Sequence, residues 1–366
     1  MDVRLRSVII GAGMIGSVHR RASILAAGDI VGVLAGRPET TRRAADKWGV
    51  PALDSLDDLA RLQPDVVHVC TPNGLHAEQV KAAIDAGAHV ICEKPMSVSS
   101  TEADEMVDWA NRAGVIATVP FVYRFHPLVR EIRARVRKGE FGRWQLLHGS
   151  YLQDWLLSRQ ATSWRVDAAA GGPSRAFADI GSHWCDLMEF VTGERIESLS
   201  SEIATTVPSR PKPGGAEGER IDVTTEDVAS IVFRTQTGVL GTATISQVSA
   251  GRKNRLWFEF DGEHRSAVFD QESPETIWLG TLDAEHIVRR DPRVGSEEQR
   301  RLSVLPAGHA QGYAECFDAF VADTYAVIRG EEREGLPTFA DGLRSSRVVD
   351  AVVQSAQTGK RVRVAS

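Results

Sequence analysis

A glycine-rich turn at residues 11–16, with the sequence GAGMIG, constrains the fold of this chain more than any other feature. It directly follows the apolar run 8–10 and opens a segment with helical spacing, residues 14–27. In a strand–turn–helix unit, Gly11 would allow the tight turn, Gly13 would let the backbone approach a pyrophosphate, and Gly16 would let the helix pack on the strand. The free N–H groups of the helix then bind phosphate oxygens. The motif therefore predicts a dinucleotide-binding site.

The rest of the first 125 residues alternates strand and helix signals in the same way. Strands are predicted near residues 30–34, 66–70, 88–92 and 115–119, and helices near 40–48, 75–86 and 102–113. Short apolar strands separated by helices indicate βαβ units. We therefore predict an α/β fold, with a Rossmann domain and its doubly wound parallel sheet over residues 1–125.

The pattern changes after Pro127, where a basic helix, residues 128–138, leads into longer β segments. Apolar and polar residues alternate over residues 256–261, as in a half-buried strand. Two further strands flank Thr237-Gly238, a predicted hairpin turn, and residues 208–218, rich in proline and glycine, are predicted to be an exposed loop. Residues 126–366 are therefore expected to form an α+β domain on an antiparallel sheet.

Composition excludes several classes of protein. The net charge of −6 gives no basic footprint for nucleic acid, and no apolar run approaches the length of a membrane span. The four cysteines are widely spaced, without a pair typical of a metal site or a disulfide framework. With no signal-peptide pattern at the start, these features predict a cytoplasmic protein.

The end of the second strand bears on the choice of cofactor. An NAD site usually places an acidic residue there for the ribose 2′-OH, but the sequence reads Leu34-Ala35-Gly36-Arg37-Pro38. Arg37 would suit a 2′-phosphate, or it is a solvated arginine at a helix start. The sequence thus predicts NAD or NADP, with a slight preference for NADP.

Lys94 is the first candidate for chemistry, because Glu93-Lys94-Pro95 follows the strand at residues 90–92. Ligands of open α/β sheets bind at the carboxyl ends of the strands. A lysine there is suited to proton transfer when it is desolvated. The alternative is a surface lysine in a turn.

A second candidate is the segment 179–186, which reads DIGSHWCD. Asp179 and His183 are four residues apart and share one face of a helix, with Asp186 three residues further along. An imidazole beside a carboxylate suits the oxidation of an alcohol, since the imidazole takes the hydroxyl proton. The alternatives are a helix-capping aspartate with a buried histidine, or a metal site, which nothing else in the chain completes.

Four motifs occur in order along nearly the whole chain: GAGMIG, Thr71-Pro72-Asn73 with His76, Glu93-Lys94-Pro95, and Asp179 with His183. Together they resemble the glucose-fructose oxidoreductase/inositol dehydrogenase/rhizopine-catabolism (Gfo/Idh/MocA) family. The resemblance implies a Rossmann domain followed by a domain with a large, open, mainly antiparallel sheet that often mediates homo-oligomers, with a C-terminal segment that packs back on the Rossmann domain. It implies that Lys94, Asp179 and His183 are catalytic. It implies cofactor contacts at Thr71, Pro72, Asn73, His76 and Glu93. The residues themselves add the candidates Gly11, Gly13, Met14, Ile15, Gly16, Arg37 and Lys94.

The segment 151–155, YLQDW, with Trp164-Arg165 nearby, resembles levoglucosan dehydrogenases and related glycoside 3-dehydrogenases. Trp, Gln and Asp suit a sugar, because they offer a flat apolar face for stacking and bidentate partners for hydroxyls. The alternative is a strand end with aromatic residues in the core. Four basic residues are expected either to form a pocket for an anionic group on the sugar or to make structural ion pairs: Arg124, His126, Arg165 and Arg175. The candidate substrate-binding residues are Tyr123, Arg124, His126, Gln153, Trp155, Trp164, Arg165, Arg175, Asp179 and His183.

These observations predict an NAD(P)-dependent dehydrogenase that oxidises a secondary hydroxyl, at C3, of a sugar or glycoside. The alternative is a glycoside hydrolase that oxidises C3 transiently, eliminates the aglycone, adds water and returns the hydride, on a substrate that includes anionic, for example sulfonated, sugars. Its base near C2 would be Tyr123, His126 or Tyr151. A non-enzymatic sugar or cofactor sensor is the third reading, and the retained catalytic residues argue against it.

Overall fold

The structure is a computed structural model that describes residues 4–365. It divides into two compact units, residues 4–122 with 314–344 and residues 123–313 with 345–365. No helix in the described part of the chain is both long and apolar enough to cross a lipid bilayer.

The strands and α-helices of both units are numbered in sequence order. The strands are β1 Leu5–Ile10, β2 Gly28–Leu34, β3 Val66–Val69, β4 His89–Cys92, β5 Ala117–Thr118, β6 Trp144–Leu152, β7 Ile196–Ala204, β8 Ser209–Pro211, β9 Arg220–Asp222, β10 Val228–Thr235, β11 Leu240–Ser246, β12 Arg255–Gly262, β13 Ser266–Asp270, β14 Thr276–Gly280, β15 Glu285–Arg289 and β16 Val362–Arg363. The α-helices are α1 Met14–Leu25, α2 Pro38–Trp48, α3 Asp58–Leu62, α4 His76–Asp85, α5 Ser100–Ala113, α6 Pro127–Arg137, α7 Ala168–Gly171, α8 Ser182–Thr192, α9 Glu297–Leu302, α10 Tyr313–Ile328 and α11 Phe339–Thr358.

The first unit is built on a parallel sheet with strand order β2-β1-β3-β4-β5. Val8, Val67 and Val90 are opposed on its three central strands and are fully buried. A parallel sheet covered on both faces requires such continuous apolar strands. The predicted doubly wound parallel sheet is confirmed.

The second unit contains a nine-stranded sheet with the order β15-β14-β13-β12-β6-β11-β10-β7-β16. Its strand pairs are antiparallel except β6 with β11. On β12, Leu256, Phe258 and Phe260 are buried in the core that α8 completes. The predicted hairpin is confirmed, with β10 and β11 joined at Gly238, whose φ of 90° favours glycine.

The prediction for residues 208–218 is wrong in part, because this segment is not simply an exposed loop. Its first residues form β8, which pairs with β9 in a small antiparallel hairpin. Arg210 on β8 is fully buried and donates to the carbonyl oxygens of Leu156 and Ser158 and to the carboxylate of Asp227. These partners are distant in sequence, so proline and glycine content gave no sign of them.

Candidate active site

The glycine turn of the first unit has the shape that a dinucleotide requires. Gly11 has a φ of 103°, and a Cβ on it would lie 2.4 Å from the carbonyl oxygen of Cys70. A Cβ on Gly16 would lie 1.9 Å from the carbonyl oxygen of Gly11. Gly13 precedes α1 without a side-chain cap and has no heavy atom within 4 Å of its Cβ position. The turn thus leaves the start of α1 open, and these residues fit a pyrophosphate.

The carboxyl ends of β3 and β4 carry the next predicted cofactor residues. His76 is fully buried, with Nε2 2.9 Å from the carbonyl oxygen of Thr71 and Nδ1 3.1 Å from that of Pro95. Burial lowers the pKa of His76. Its ring therefore joins the loop that holds Thr71, Pro72 and Asn73 to the loop after β4.

Glu93 and Lys94 lie at the carboxyl end of β4. The Glu93 carboxylate is buried, with Oε1 3.0 Å from His19 Nε2 and Oε2 accepting from the Lys94 backbone N–H at 3.1 Å. Burial raises the pKa of Glu93, but His19 and Lys94 outweigh it and hold the pKa below its usual range. Lys94 itself is half-buried at the sheet edge where ligands of this fold bind.

In the second unit, Asp179 lies in a π-helical turn, Phe177–Gly181, which runs into α8 with His183 in its first turn. The sequence predicted one regular helix, so this is a correction. Glu226 accepts the backbone N–H groups of Arg175 and Phe177 and thereby holds the start of the turn. π-helical turns are rare in proteins, and many of those that occur lie at functional sites.

Two side chains that contact the Asp179 carboxylate belong to the second unit. Gln247 Nε2 donates to Asp179 Oδ2 at 2.8 Å, and Arg165 Nε lies 3.4 Å from Oδ1. Gln247 Oε1 accepts from Arg175 Nη1 at 3.2 Å, which fixes the amide with its N–H toward Asp179. Arg175 is itself paired with the buried carboxylate of Asp227. Asp179 is therefore held in place by a relay of charged and amide groups.

Two tyrosines surround His183. The Tyr123 ring lies 5.2 Å from the His183 ring and the Tyr151 ring lies 6.4 Å from it. The two hydroxyl oxygens are 2.7 Å apart, and Asn254 donates to Tyr123 and accepts from Tyr151. Burial raises the pKa of Tyr151, so its hydroxyl stays protonated. The surroundings of His183 thus combine flat apolar faces with fixed hydrogen-bonding groups, as sugars require.

Gln153 extends this cluster toward the solvent. Its Nε2 donates to Asn254 Oδ1 at 2.8 Å, and its Oε1 accepts from the half-exposed Trp155 at 2.8 Å. Arg165, which contacts Asp179, stacks on the Trp164 ring at 4.5 Å. The structure therefore places the predicted residues Gln153, Trp155, Trp164 and Arg165 in the same unit as Asp179 and His183. Gln153 and Trp155 belong to the Asn254–tyrosine cluster, and Arg165 contacts Asp179.

Of the two alternatives for the four basic residues, the structure favours structural roles over an anion pocket for three of them. Arg124 is buried in a two-point ion pair with Asp186, and Arg175 is buried against Asp227. His126 is fully buried, and burial with the nearby Arg290 lowers its pKa to about 3. Burying an unpaired charge is costly, so these arginines have carboxylate partners and His126 is neutral.

A metal site at residues 179–186 is also not supported, because the Asp186 carboxylate forms an ion pair with Arg124. Among residues 4–365, the three-residue group with metal-ligand spacing is instead His148, Glu259 and Asp261, on β6 and β12. His148 Nε2 lies 3.7 Å from Asp261 Oδ2 and 4.0 Å from Glu259 Oε2.

Two family models match the chain. An oxidoreductase family with an NAD-binding Rossmann fold matches residues 5–121, and the Gfo/Idh/MocA C-terminal domain matches residues 129–268. Together these matches span more than half of the 366 residues. The chain belongs to the Gfo/Idh/MocA family. The resemblance inferred from its motifs is confirmed, as is its assignment to the oxidoreductases.

Relatives in the Gfo/Idh/MocA family include named sugar dehydrogenases. Levoglucosan dehydrogenase from Pseudarthrobacter phenanthrenivorans is 31% identical over 339 residues, which cover 87% of this chain and 85% of that enzyme. D-glucoside 3-dehydrogenase from Escherichia coli is 26% identical over 369 residues, covering 98% and 97%. A solved structure of levoglucosan dehydrogenase in complex with NADH and L-sorbose has a TM-score of 0.91 at 27% identity and covers 99% of both chains.

Sequence reasoning missed several residues of this Gfo/Idh/MocA site. Gln247 follows β11 and Asn254 precedes β12, and both contact the predicted site residues only in three dimensions. Glu226 likewise lies just before β10, far along the chain from the turn that it holds. Single polar residues at strand ends carry no local signal, so only the fold identifies them.

Proposed function

We propose that this protein is an NAD(P)-dependent dehydrogenase that oxidises a secondary hydroxyl, at C3, of a sugar or glycoside. The observation that carries the proposal is the relay that fixes Asp179 beside the aromatic, hydrogen-bonding surroundings of His183. The names of the relatives support a sugar substrate, and D-glucoside 3-dehydrogenase supports C3.

In the proposed mechanism, His183 accepts the proton of the substrate hydroxyl. Asp179, held by Gln247 and Arg165, orients the imidazole and stabilises its charged form. Lys94 orients the same hydroxyl and stabilises the negative charge that develops on its oxygen. The nicotinamide, when bound, supplies the hydride acceptor. Tyr123, Tyr151 and Gln153 are proposed to bind the sugar, with Trp155 as a stacking surface.

The hydrolytic alternative requires a base near C2 of the sugar. Tyr151 is a poor base, because burial raises its pKa and its hydroxyl donates to Asn254. His126 is buried and hydrogen-bonded to the backbone N–H of Leu128. These two observations argue against Tyr151 and His126 as that base and leave Tyr123 as the remaining candidate.

Incubation of the protein with NAD⁺ or NADP⁺ and a panel of glycosides in D₂O, followed by mass spectrometry, tests the proposal. We expect a product that has lost two hydrogens and keeps its aglycone. A free aglycone, together with deuterium on the released sugar, would instead establish the hydrolase.

We propose that Arg37 lets the protein accept NADP. Its side chain is exposed at the start of α2, and its backbone N–H donates to Thr40 Oγ1 at 3.2 Å. Arg37→Ala should weaken NADP⁺ binding about tenfold, since a charged hydrogen bond to the 2′-phosphate is lost. NAD⁺ affinity should not change, nor should either affinity in Arg42→Ala, an exposed arginine of the same helix. Equal NADP⁺ dissociation constants for wild type and Arg37→Ala would show that Arg37 is only a solvated side chain.

We propose that the protein is a homo-oligomer and that the outward face of the nine-stranded sheet is its subunit interface. Val232 and Leu240 are among its exposed residues, and Trp278 is opposed to the exposed Ile287 across β14 and β15. Exposed apolar side chains on one face of a sheet are typical of a buried contact. Mass photometry of the wild type should show a dimer or tetramer, and a Val232→Glu/Ile287→Glu variant should shift toward the monomer. A monomeric wild type would contradict the proposal.

A further inference from the structure

Behind Glu93 lies a chain of buried polar side chains that the proposed mechanism does not use. His19 Nε2 is 3.0 Å from Glu93 Oε1, and His19 Nδ1 is 2.9 Å from His68 Nδ1. His68 Nε2 is 2.8 Å from the hydroxyl of Tyr325. His19, His68 and Tyr325 are fully buried, and all four residues belong to the first unit.

This chain of hydrogen-bonded side chains ends at two buried serines. The Tyr325 hydroxyl is 2.7 Å from both Ser7 Oγ and Ser23 Oγ. Ser23 donates to Ser7, which donates to the carbonyl oxygen of Leu5. Glu93 is therefore the member of this chain that retains some solvent exposure.

The contact between the two imidazoles permits two arrangements of protons. In the first, His19 is neutral and donates to Glu93, His68 donates from Nδ1 to His19, and Tyr325 donates to His68 Nε2. In the second, His19 is protonated on both nitrogens, and His68 donates from Nε2 to Tyr325, which donates to a serine. Every link is satisfied in both arrangements, as buried polar groups require.

The two arrangements differ by one proton. In passing from the first to the second, His19 gains a proton at Nδ1, the proton of His68 moves from Nδ1 to Nε2, and the hydroxyl donors reverse direction. The single added proton comes from solvent. The Glu93–His19 pair changes from a net charge of −1 to zero.

Burial favours the neutral forms of the thiols, the hydroxyl and the other imidazoles in and around this hydrogen-bond chain. The charged or titratable groups that face it from neighbouring elements are Lys94, His76, Cys70 and Cys92 around Glu93, and Asp65 and Arg329 around Tyr325. Burial raises the pKa of Tyr325 to about 12 and raises those of Cys70 and Cys92. Burial and the neighbouring His19 hold the pKa of His68 well below its usual range, and burial lowers that of His76.

We propose that this chain stores one exchangeable proton on His19 and thereby sets the charge of the Glu93–His19 pair at the cofactor-binding edge of the sheet. The part of the proposal that concerns the cofactor rests on the proposed binding of a nicotinamide dinucleotide. His19, His68 and Tyr325 act through Glu93 and are positioning residues.

A charge at this edge discriminates between the two redox forms of the cofactor. The oxidised nicotinamide ring is a cation and the reduced ring is neutral, so NAD⁺ favours the arrangement with charge −1. By linkage, NAD⁺ binding releases a proton, and a rise in pH strengthens NAD⁺ binding relative to NADH. For one coupled proton, the ratio of the two dissociation constants changes by at most about tenfold per pH unit.

The cofactor-free protein tests the proton chain by itself. Protein labelled with ¹⁵N-histidine, which contains ten histidines, is titrated by NMR between about pH 5 and about pH 9. We expect the His68 signals, assigned by their loss in His68→Gln, to change from the Nδ1–H tautomer at high pH to the Nε2–H tautomer at low pH. A single His68 tautomer throughout would overturn the proposal.

Calorimetry in two buffers of different ionisation enthalpy then measures the protons released on NAD⁺ and NADH binding. Tyr325→Phe removes the partner of His68 Nε2, so His68 should keep its proton on Nδ1 and the release should be lost. Ser23→Ala is the matched control, since Tyr325 keeps Ser7 at 2.7 Å and the release should persist. Equal proton release in wild type and Tyr325→Phe would contradict the proposal. If neither cofactor binds, the proposed function fails, and the NMR titration still decides whether the proton chain exists.

Discussion

Replacing Lys94 by alanine is expected to lower kcat by about 10²–10³, because the amine that stabilises the developing negative charge on the substrate oxygen is lost. The NAD(P)⁺ dissociation constant should change little. The side chain of Lys94 is proposed to act in the chemical step, whereas the glycine turn and the start of α1 are proposed to provide the phosphate contacts. Stopped-flow turnover and a separate fluorescence titration of the cofactor measure the two effects independently.

The matched control for this variant is Lys81→Ala. Lys81 lies on α4 of the same unit and forms an exposed ion pair with Asp85. Exposed pairs of this kind contribute little, so turnover and cofactor binding should remain at wild-type levels. Wild-type turnover in Lys94→Ala would remove Lys94 from the mechanism.

Asp179→Asn is expected to reduce kcat by about 10²–10⁴. An amide cannot stabilise the positive charge that the His183 imidazole acquires, and it no longer fixes the orientation of the ring as the carboxylate of a catalytic triad does. The amide that replaces it no longer offers Gln247 and Arg165 a charged acceptor. Arg165 is partly exposed and can be solvated, so the melting temperature should change little. Steady-state kinetics with thermal denaturation separates this catalytic loss from unfolding.

Asp291→Asn makes the same chemical change in the same unit and is the matched control. Asp291 accepts from the guanidinium and from the backbone N–H of the exposed Arg293. It has no place in the proposed site, so kcat should stay within about twofold, as for other exposed pairs. An equal fall in kcat for both variants would show that the Asp179 effect is a nonspecific one.

Features encoded by short stretches of sequence were predicted well. The turn at residues 11–16 needs glycine at Gly11 and Gly16 because neighbouring carbonyl oxygens leave no room for a Cβ. The hairpin at Gly238 and the alternation on β12 likewise depend on local conformation and on one buried face. Such requirements act over a few residues, so the sequence alone displays them.

Features that depend on distant partners were not predicted. The π-helical turn through Asp179 is held by Glu226, and the amide that orients Asp179 belongs to Gln247. Arg175 is part of the same network, yet its type alone indicated an anion pocket as readily as an ion pair. A basic side chain acquires its role from the carboxylate that the fold places beside it, and for Arg124 that partner is Asp186.

The most direct test of the central claim follows the hydrogen on C3 of the sugar. A glycoside carrying deuterium at C3 is incubated with the wild-type protein and NAD(P)⁺, and both products are analysed by mass spectrometry. We expect deuterium in the reduced cofactor and an oxidised sugar that keeps its aglycone. Deuterium that stays entirely in the sugar product, with or without release of the aglycone, would contradict net oxidation at C3.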